Sequence, residues 1–274
     1  MKQARARWRG APSVGETTQQ RLEQRRIGQF FWLLVSEMLV LRVHWLWYLV
    51  QMSINPLVFM VFLGFFWATD TRSIVYVATG TAALALMTSS MLSLGQEIGY
   101  LKETQAYEHY AVLPISKLAF ILALATKGML LALPSAFITL LVASQVFSLH
   151  LSFSPATLLV MVLAGYSLAG LGAVIGFYSP NARVASLVTQ LILPPMVYFA
   201  PVFVPAEKLP RIVASISVVM PTTYVASALR AVLRRSLDPH ALFDIVVLLT
   251  ITVVSLLVAS AKVDWRANDA GRVK

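Results

Sequence analysis

Leu118–Val142 reads LAFILALATKGMLLALPSAFITLLV, a run whose single charge is Lys127. A hydrocarbon layer about 30 Å thick needs about 20 apolar residues of helix to cross it, and this run exceeds that. Five further stretches share its character: Trp45–Ala68, Ile74–Leu94, Leu158–Tyr178, Thr189–Val204 and Ile245–Ala261. The last two are short. The stretch Thr189–Val204 also contains Pro194 and Pro195, which lack amide donors and predict a broken helix. Composition points the same way. The 274-residue chain is 58% hydrophobic and only 12% charged, with a mean hydropathy of +0.74, whereas a soluble domain carries about 25% charged residues. That excludes a soluble enzyme and a disordered or fibrous chain. The expected fold is an all-α polytopic membrane protein with six transmembrane helices.

The charges are sparse and unevenly placed. Lys and Arg total 22 against 12 acidic residues, a net charge of +10. In a soluble protein that excess would suggest nucleic acid. Beside these apolar runs it reads as membrane topology and attraction to anionic lipid head groups, and no nucleic-acid partner is expected. Residues 1–26 carry Lys2, Arg5, Arg7, Arg9, Arg21, Arg25 and Arg26 without an apolar core or a cleavage site, so they read as a basic tail and not a signal peptide. Residues 27–44, with Glu37 and Arg42, read as a helix lying in the membrane interface. Six spans with an internal N-terminus put 15 Lys and Arg on the inner side and six on the outer, with Lys127 inside a span. The positive-inside rule then places both termini in the cytoplasm. The expected division is a tail (1–26), a transmembrane domain (27–262) and a C-terminal tail (263–274).

Several chemistries are missing. Carriers driven by ion gradients place a carboxylate within the bilayer, and none of the 12 acidic residues falls well inside the six stretches, Asp244 lying at the edge of the last. His44, His109, His150 and His240 form no H-E-x-x-H pair. Cysteine is absent, which excludes disulfides and thiolate metal sites. Gly10 and Gly15 have phosphate-loop spacing, but the anion Glu16 stands where the phosphate-neutralising lysine is needed, and no strand precedes them. No ATP site, metal site or cofactor is expected on this chain.

Between the second and third stretches lies QEIGYLKETQAYEHYAVLPIS, residues 96–116. If Glu97–Val112 is helical, Glu97, Leu101, Thr104 and Glu108 share one face; Tyr100, Tyr107 and Tyr110 offer aromatic anchors, and Pro114 ends the helix. A solvated helix at the membrane surface is the plain alternative. Further on, YFAPVFVPAEKLP (198–210) precedes PTTYVASALR (221–230). Repeated prolines in a segment too short to cross twice predict a re-entrant hairpin before the last span.

These two stretches, in this order and spacing, resemble the membrane subunits of ABC-2 type ABC transporters. The first is similar to the family's run E-x-G-T-x-E-x-L-x-x-x-P-[IV]-S, matched by Glu103, Glu108, Pro114, Ile115 and Ser116, with Gln105–Ala106 in place of Gly-Thr and Tyr110 in place of Leu. The second is similar to Asn-Pro-x-T-Y-x-x-x-x-x-R, matched by Pro221, Thr223, Tyr224 and Arg230, with Met220 in place of Asn. The resemblance implies a permease of the drug, nodulation-factor and polysaccharide exporter kind in a bacterial inner membrane. It implies a cytoplasmic coupling helix carrying Glu97, Leu101, Glu103, Thr104, Glu108 and Pro114 against an ATPase subunit, which would hold the ATP and Mg. It also implies a second copy of this permease or a homologue. A pathway along the first, second and fifth spans is implied too, with Phe59, Phe62, Phe66, Tyr198, Phe199 and Phe203 as candidate lining residues, each otherwise a packing or lipid-facing aromatic. An aromatic, charge-poor route suits an amphiphile or lipid-linked glycan better than a small ion. Lys127 either faces a hydrated interior or snorkels to the head groups. A secondary carrier or channel, or a membrane scaffold without transport, are the competing readings.

Overall fold

The computed structural model describes residues 28, 31–36, 38–39, 42, 45–66, 70–104, 116–235 and 238–262. Among them there is no strand. The helices are α1 (Trp45–Phe66), α2 (Thr71–Glu103), α3 (Lys117–Val146), α4 (Pro155–Tyr178), α5 (Ala182–Tyr198), α6 (Arg211–Ser217), α7 (Pro221–Leu233) and α8 (Pro239–Lys262). Local chemistry sets their starts. Ser116 accepts from the Ala119 amide, Ser154 and Thr157 form a reciprocal capping box, and Asn181 accepts from the Val184 amide. Pro155 and Pro221 occupy first-turn positions, where the missing amide costs nothing.

Five helices, α1 to α4 and α8, are long and apolar enough to cross a membrane. The pair α6–α7 is bent by 85° at its break. Side-chain bonds fix which ends of the bundle coincide. At one end, Lys102 donates to the carbonyls of Gly176, Phe177 and Ser179 at 3.1, 2.5 and 2.9 Å, and the Glu103 carboxylate accepts from the Ala182 amide at 3.3 Å. A cation therefore closes the C-terminus of α4 and an anion the N-terminus of α5, each with the sign that the helix dipole favours. At the opposite end, Arg72 and Glu207 form a bidentate pair at 3.0 and 3.1 Å, and Arg235 donates to Ser152 at 2.6 Å. Both flanks of α6–α7 thus lie at this second end, the layout of a hairpin that enters and returns.

Small residues let the helices approach without polar side chains in the contact. A Cβ on Gly172 of α4 would lie 2.4 Å from the Met91 carbonyl oxygen, so α2 and α4 touch backbone to backbone there. Within α2, Met87–Leu92 is wound as a π-helix. The main core joins Leu86, Met91, Leu140, Met161, Leu168, Val225 and Leu229. Of the N-terminal stretch, residues 31–36 are helical. Leu33 is buried with Ile98, Phe120 and Phe177 at the Glu103 end.

Three expectations require correction. The second span does not stop at Leu94 before a separate loop helix: α2 runs 33 residues to Glu103, because nothing between Leu94 and Glu103 breaks a helix. Glu97 and Leu101 consequently belong to a long crossing helix, and Thr104 is its C-cap. Lys127 does not lack a carboxylate in the spans, since it pairs with Glu97. Finally, the fifth helix is not broken at Pro194–Pro195. It begins earlier, at Ala182, passes through both prolines, and closes its last turn with the Phe199 amide on the Pro195 carbonyl. The prolines remove only the donors to the carbonyls one turn back. The remainder of the expected coupling helix, including Glu108 and Pro114, and both tails lie outside the described residues.

Candidate functional site: an aromatic cavity and its supports

At the end opposite Glu103, a cavity of about 460 Å³ opens between α1, α2, the end of α5 and the turn that follows it. Phe59 and Phe203 meet edge to face in its wall, with ring centroids 5.2 Å apart and planes at 63°. Val77 and Val197 add aliphatic wall, Tyr198 stands at the exposed rim, and Lys208 and Ser73 supply the polar atoms. This volume falls within the roughly 300–1,000 Å³ of small-molecule sites, and the lining is mainly apolar with few polar groups.

Phe203 owes its position to three restraints. Gly80 of α2 leaves room for it, since a Cβ there would come within 2.6 Å of the Phe203 ring and 2.7 Å of the Val202 carbonyl. Arg230 of α7 is 8% exposed and donates to the carbonyls of Pro201 and Val202 at 3.1 and 3.2 Å. Its guanidinium also lies 4.2 Å from the centroid of the Tyr76 ring. Thr222, at the start of α7, donates to the Met196 carbonyl near the end of α5. The hairpin therefore holds the turn that carries the aromatic wall, and Arg230 satisfies carbonyls that would otherwise be buried without donors.

The structure brings Phe59, Tyr198 and Phe203 together and leaves the other aromatic candidates outside the cavity. Phe62 and Phe66 pair with each other on α1, 56% and 81% exposed, and Phe199 is 41% exposed beyond the end of α5. Lys127 lies away from the cavity. It is buried and paired with the half-buried Glu97, at side-chain exposures of 8% and 29%. Below that pair, Thr126 and Tyr166 share a 2.8 Å hydrogen bond between α3 and α4. Glu103 and Lys102 sit at the end of α2, with the helix-terminal bonds already described. Sequence reading assigned Arg230 a motif position but no contact, and it missed the Glu97–Lys127 pair. Extending the second span by about two turns beyond Leu94 brings Glu97 into it, while Lys127 is the charge inside the third.

The chain matches the ABC-2 type transporter family over residues 28–233. That stretch takes in α1 to α7, including the cavity, the hairpin and the long α2. The protein belongs to this family: it is a multi-pass membrane protein and the permease component of an ABC transporter, a family that generally works with an ATPase subunit. No curated protein matches the chain.

Proposed function

We propose that the chain is the membrane half of an ATP-driven exporter that moves an amphiphilic or lipid-linked substrate (a drug, lipid or glycan) out across a bacterial cytoplasmic membrane. Two copies, or one copy and a homologue, pair with two ATPase subunits that hold ATP and Mg. The observation that carries the reading is the cavity formed by Phe59, Tyr198 and Phe203 at one end of α2, in a member of this family. The opposite end of α2 runs directly into the motif Glu103…Glu108…Pro114. A 33-residue helix is about 50 Å long at ~1.5 Å per residue, so one rigid element joins the ATPase side to the cavity side. Displacement of its cytoplasmic end shifts Ser73, Val77 and Gly80 against Phe203, and packed helices respond by moving between discrete arrangements. The Glu103 end is cytoplasmic in this reading, as the 15-to-6 distribution of Lys and Arg requires.

The test is reconstitution with the cognate ATPase subunit. ATP-dependent movement of an amphiphile, abolished by Glu108→Lys with insertion and basal ATP turnover retained, is the expected result. Transport by the isolated chain, indifferent to ATP, would instead establish a secondary carrier. Tags after Lys274 and near Asp238 should report opposite sides of the membrane, the former cytoplasmic.

A further inference from the structure

The cavity has two chemically distinct parts, and their arrangement names a ligand class. Its body is hydrocarbon and aromatic: Phe59, Val77, Val197 and Phe203. At roughly the ~30 Å³ that one water-sized group occupies, 460 Å³ holds about fifteen methylene-sized groups. That is the volume of one alkyl chain of ordinary length. The polar part lies on the 3₁₀ turn Ala206–Lys208 and the start of α2. Arg72 is neutralised there by Glu207, and Asp70, within electrostatic reach of Lys208, is engaged by the Ser73 hydroxyl. Lys208 lines the cavity and makes no salt bridge among the described residues. Tyr198 stands at the same exposed rim.

We infer that the cavity binds a single-chain amphiphile with an anionic head group, its chain along the wall that Phe59, Phe203, Val77 and Val197 form and its head at the Lys208 ammonium. The inference rests on the exporter reading for the direction in which such a molecule moves, and not for the binding itself. Burial of its methylenes gives the chain the affinity, and Lys208 selects the head. A two-chain lipid is disfavoured because its second chain stays outside.

The experiment uses the full chain in nanodiscs without any ATPase subunit. Diazirine-bearing lysophosphatidylglycerol is compared with a diazirine monoacylglycerol of the same chain length, and the cross-linked peptides are mapped by mass spectrometry. Lysophosphatidylglycerol should label peptides containing Phe59, Val77 and Phe203. Lys208→Glu should cut that labelling about tenfold and leave monoacylglycerol labelling unchanged, and Val77→Trp should remove both. Lys208 is exposed, so its replacement keeps the fold and its result stands even if the tryptophan variant is poorly folded. Labelling spread along the exposed faces of α1 and α8, or equal labelling by the two probes in wild type and Lys208→Glu, overturns the inference. Because no ATP is involved, that failure would leave the exporter reading to its own reconstitution test.

Discussion

Removing either member of the Glu97–Lys127 pair should destabilise the protein, but not equally. Glu97→Gln leaves an ammonium whose side chain is 8% exposed, whereas Lys127→Met leaves a carboxylate that is 29% exposed. Deleting one member of a buried ion pair costs about 3–5 kcal/mol. The glutamine variant should therefore lose about 3 kcal/mol, at the lower bound because Glu97 is only partly buried. The methionine variant should lose about 1–2 kcal/mol, since the remaining carboxylate is the less buried of the two. Replacing both removes the pair together with its desolvation, and such replacements are often neutral. The double variant Glu97→Gln, Lys127→Met should thus be more stable than Glu97→Gln alone. At about 2–4 °C per kcal/mol for chains near this size, the expected falls in apparent Tm are roughly 6–12 °C, 2–8 °C and under 4 °C. Size-exclusion fluorescence after heating in detergent reads all three. Equal losses in the single variants, or a double variant as poor as the sum of the two, would refute the argument from burial.

Other substitutions test the supports of the cavity. Arg230→Met leaves the Pro201 and Val202 carbonyls without their donor, and at about 1–3 kcal/mol per unsatisfied group it should cost about 2–5 kcal/mol in thermal stability; Arg230→Lys should recover part of that loss. Gly172→Ala drives a Cβ to within 2.4 Å of a backbone oxygen of α2, which cannot rotate aside, so a loss of about 1–3 kcal/mol is expected; unchanged Tm would show that α2 and α4 pack less closely. Glu207→Gln removes an exposed pair worth about 0.2–1 kcal/mol and should leave Tm almost unchanged at any salt concentration.

Much of the architecture was legible in the sequence because a membrane span is a property of length and hydropathy alone. Leu158–Tyr178 and Ile245–Ala261 fall inside α4 and α8, and Trp45–Ala68 differs from α1 only at its final residues. The prolines near Pro221 located the bent pair. Boundaries failed where a charge was taken as the end of a span. Glu97, Lys102 and Glu103 looked like loop residues, yet Glu97 is compensated by Lys127, Lys102 by the carbonyls ending α4, and Glu103 by an amide of α5. Each partner lies 30 or more positions away in the chain, beyond what local pattern can register. The aromatic candidates show the same limit: helical spacing could not say which face of α1 turns inward, so Phe59 joined the cavity while Phe62 and Phe66 did not.

The π-wound turn Met87–Leu92 has a consequence for the phase of α2. One such turn accommodates an extra residue without breaking the rod, and each residue rotates an α-helix by about 100° at ~3.6 residues per turn. The face bearing Val77 and Gly80 and the face bearing Glu97 are thereby set about 100° out of the register that an uninterrupted α-helix would impose. Deleting one residue between Met87 and Leu92 would restore that register. It could not leave both Gly80 against Phe203 and Glu97 against Lys127 at once. The one irregular turn is therefore what lets both contacts coexist on a single continuous rod.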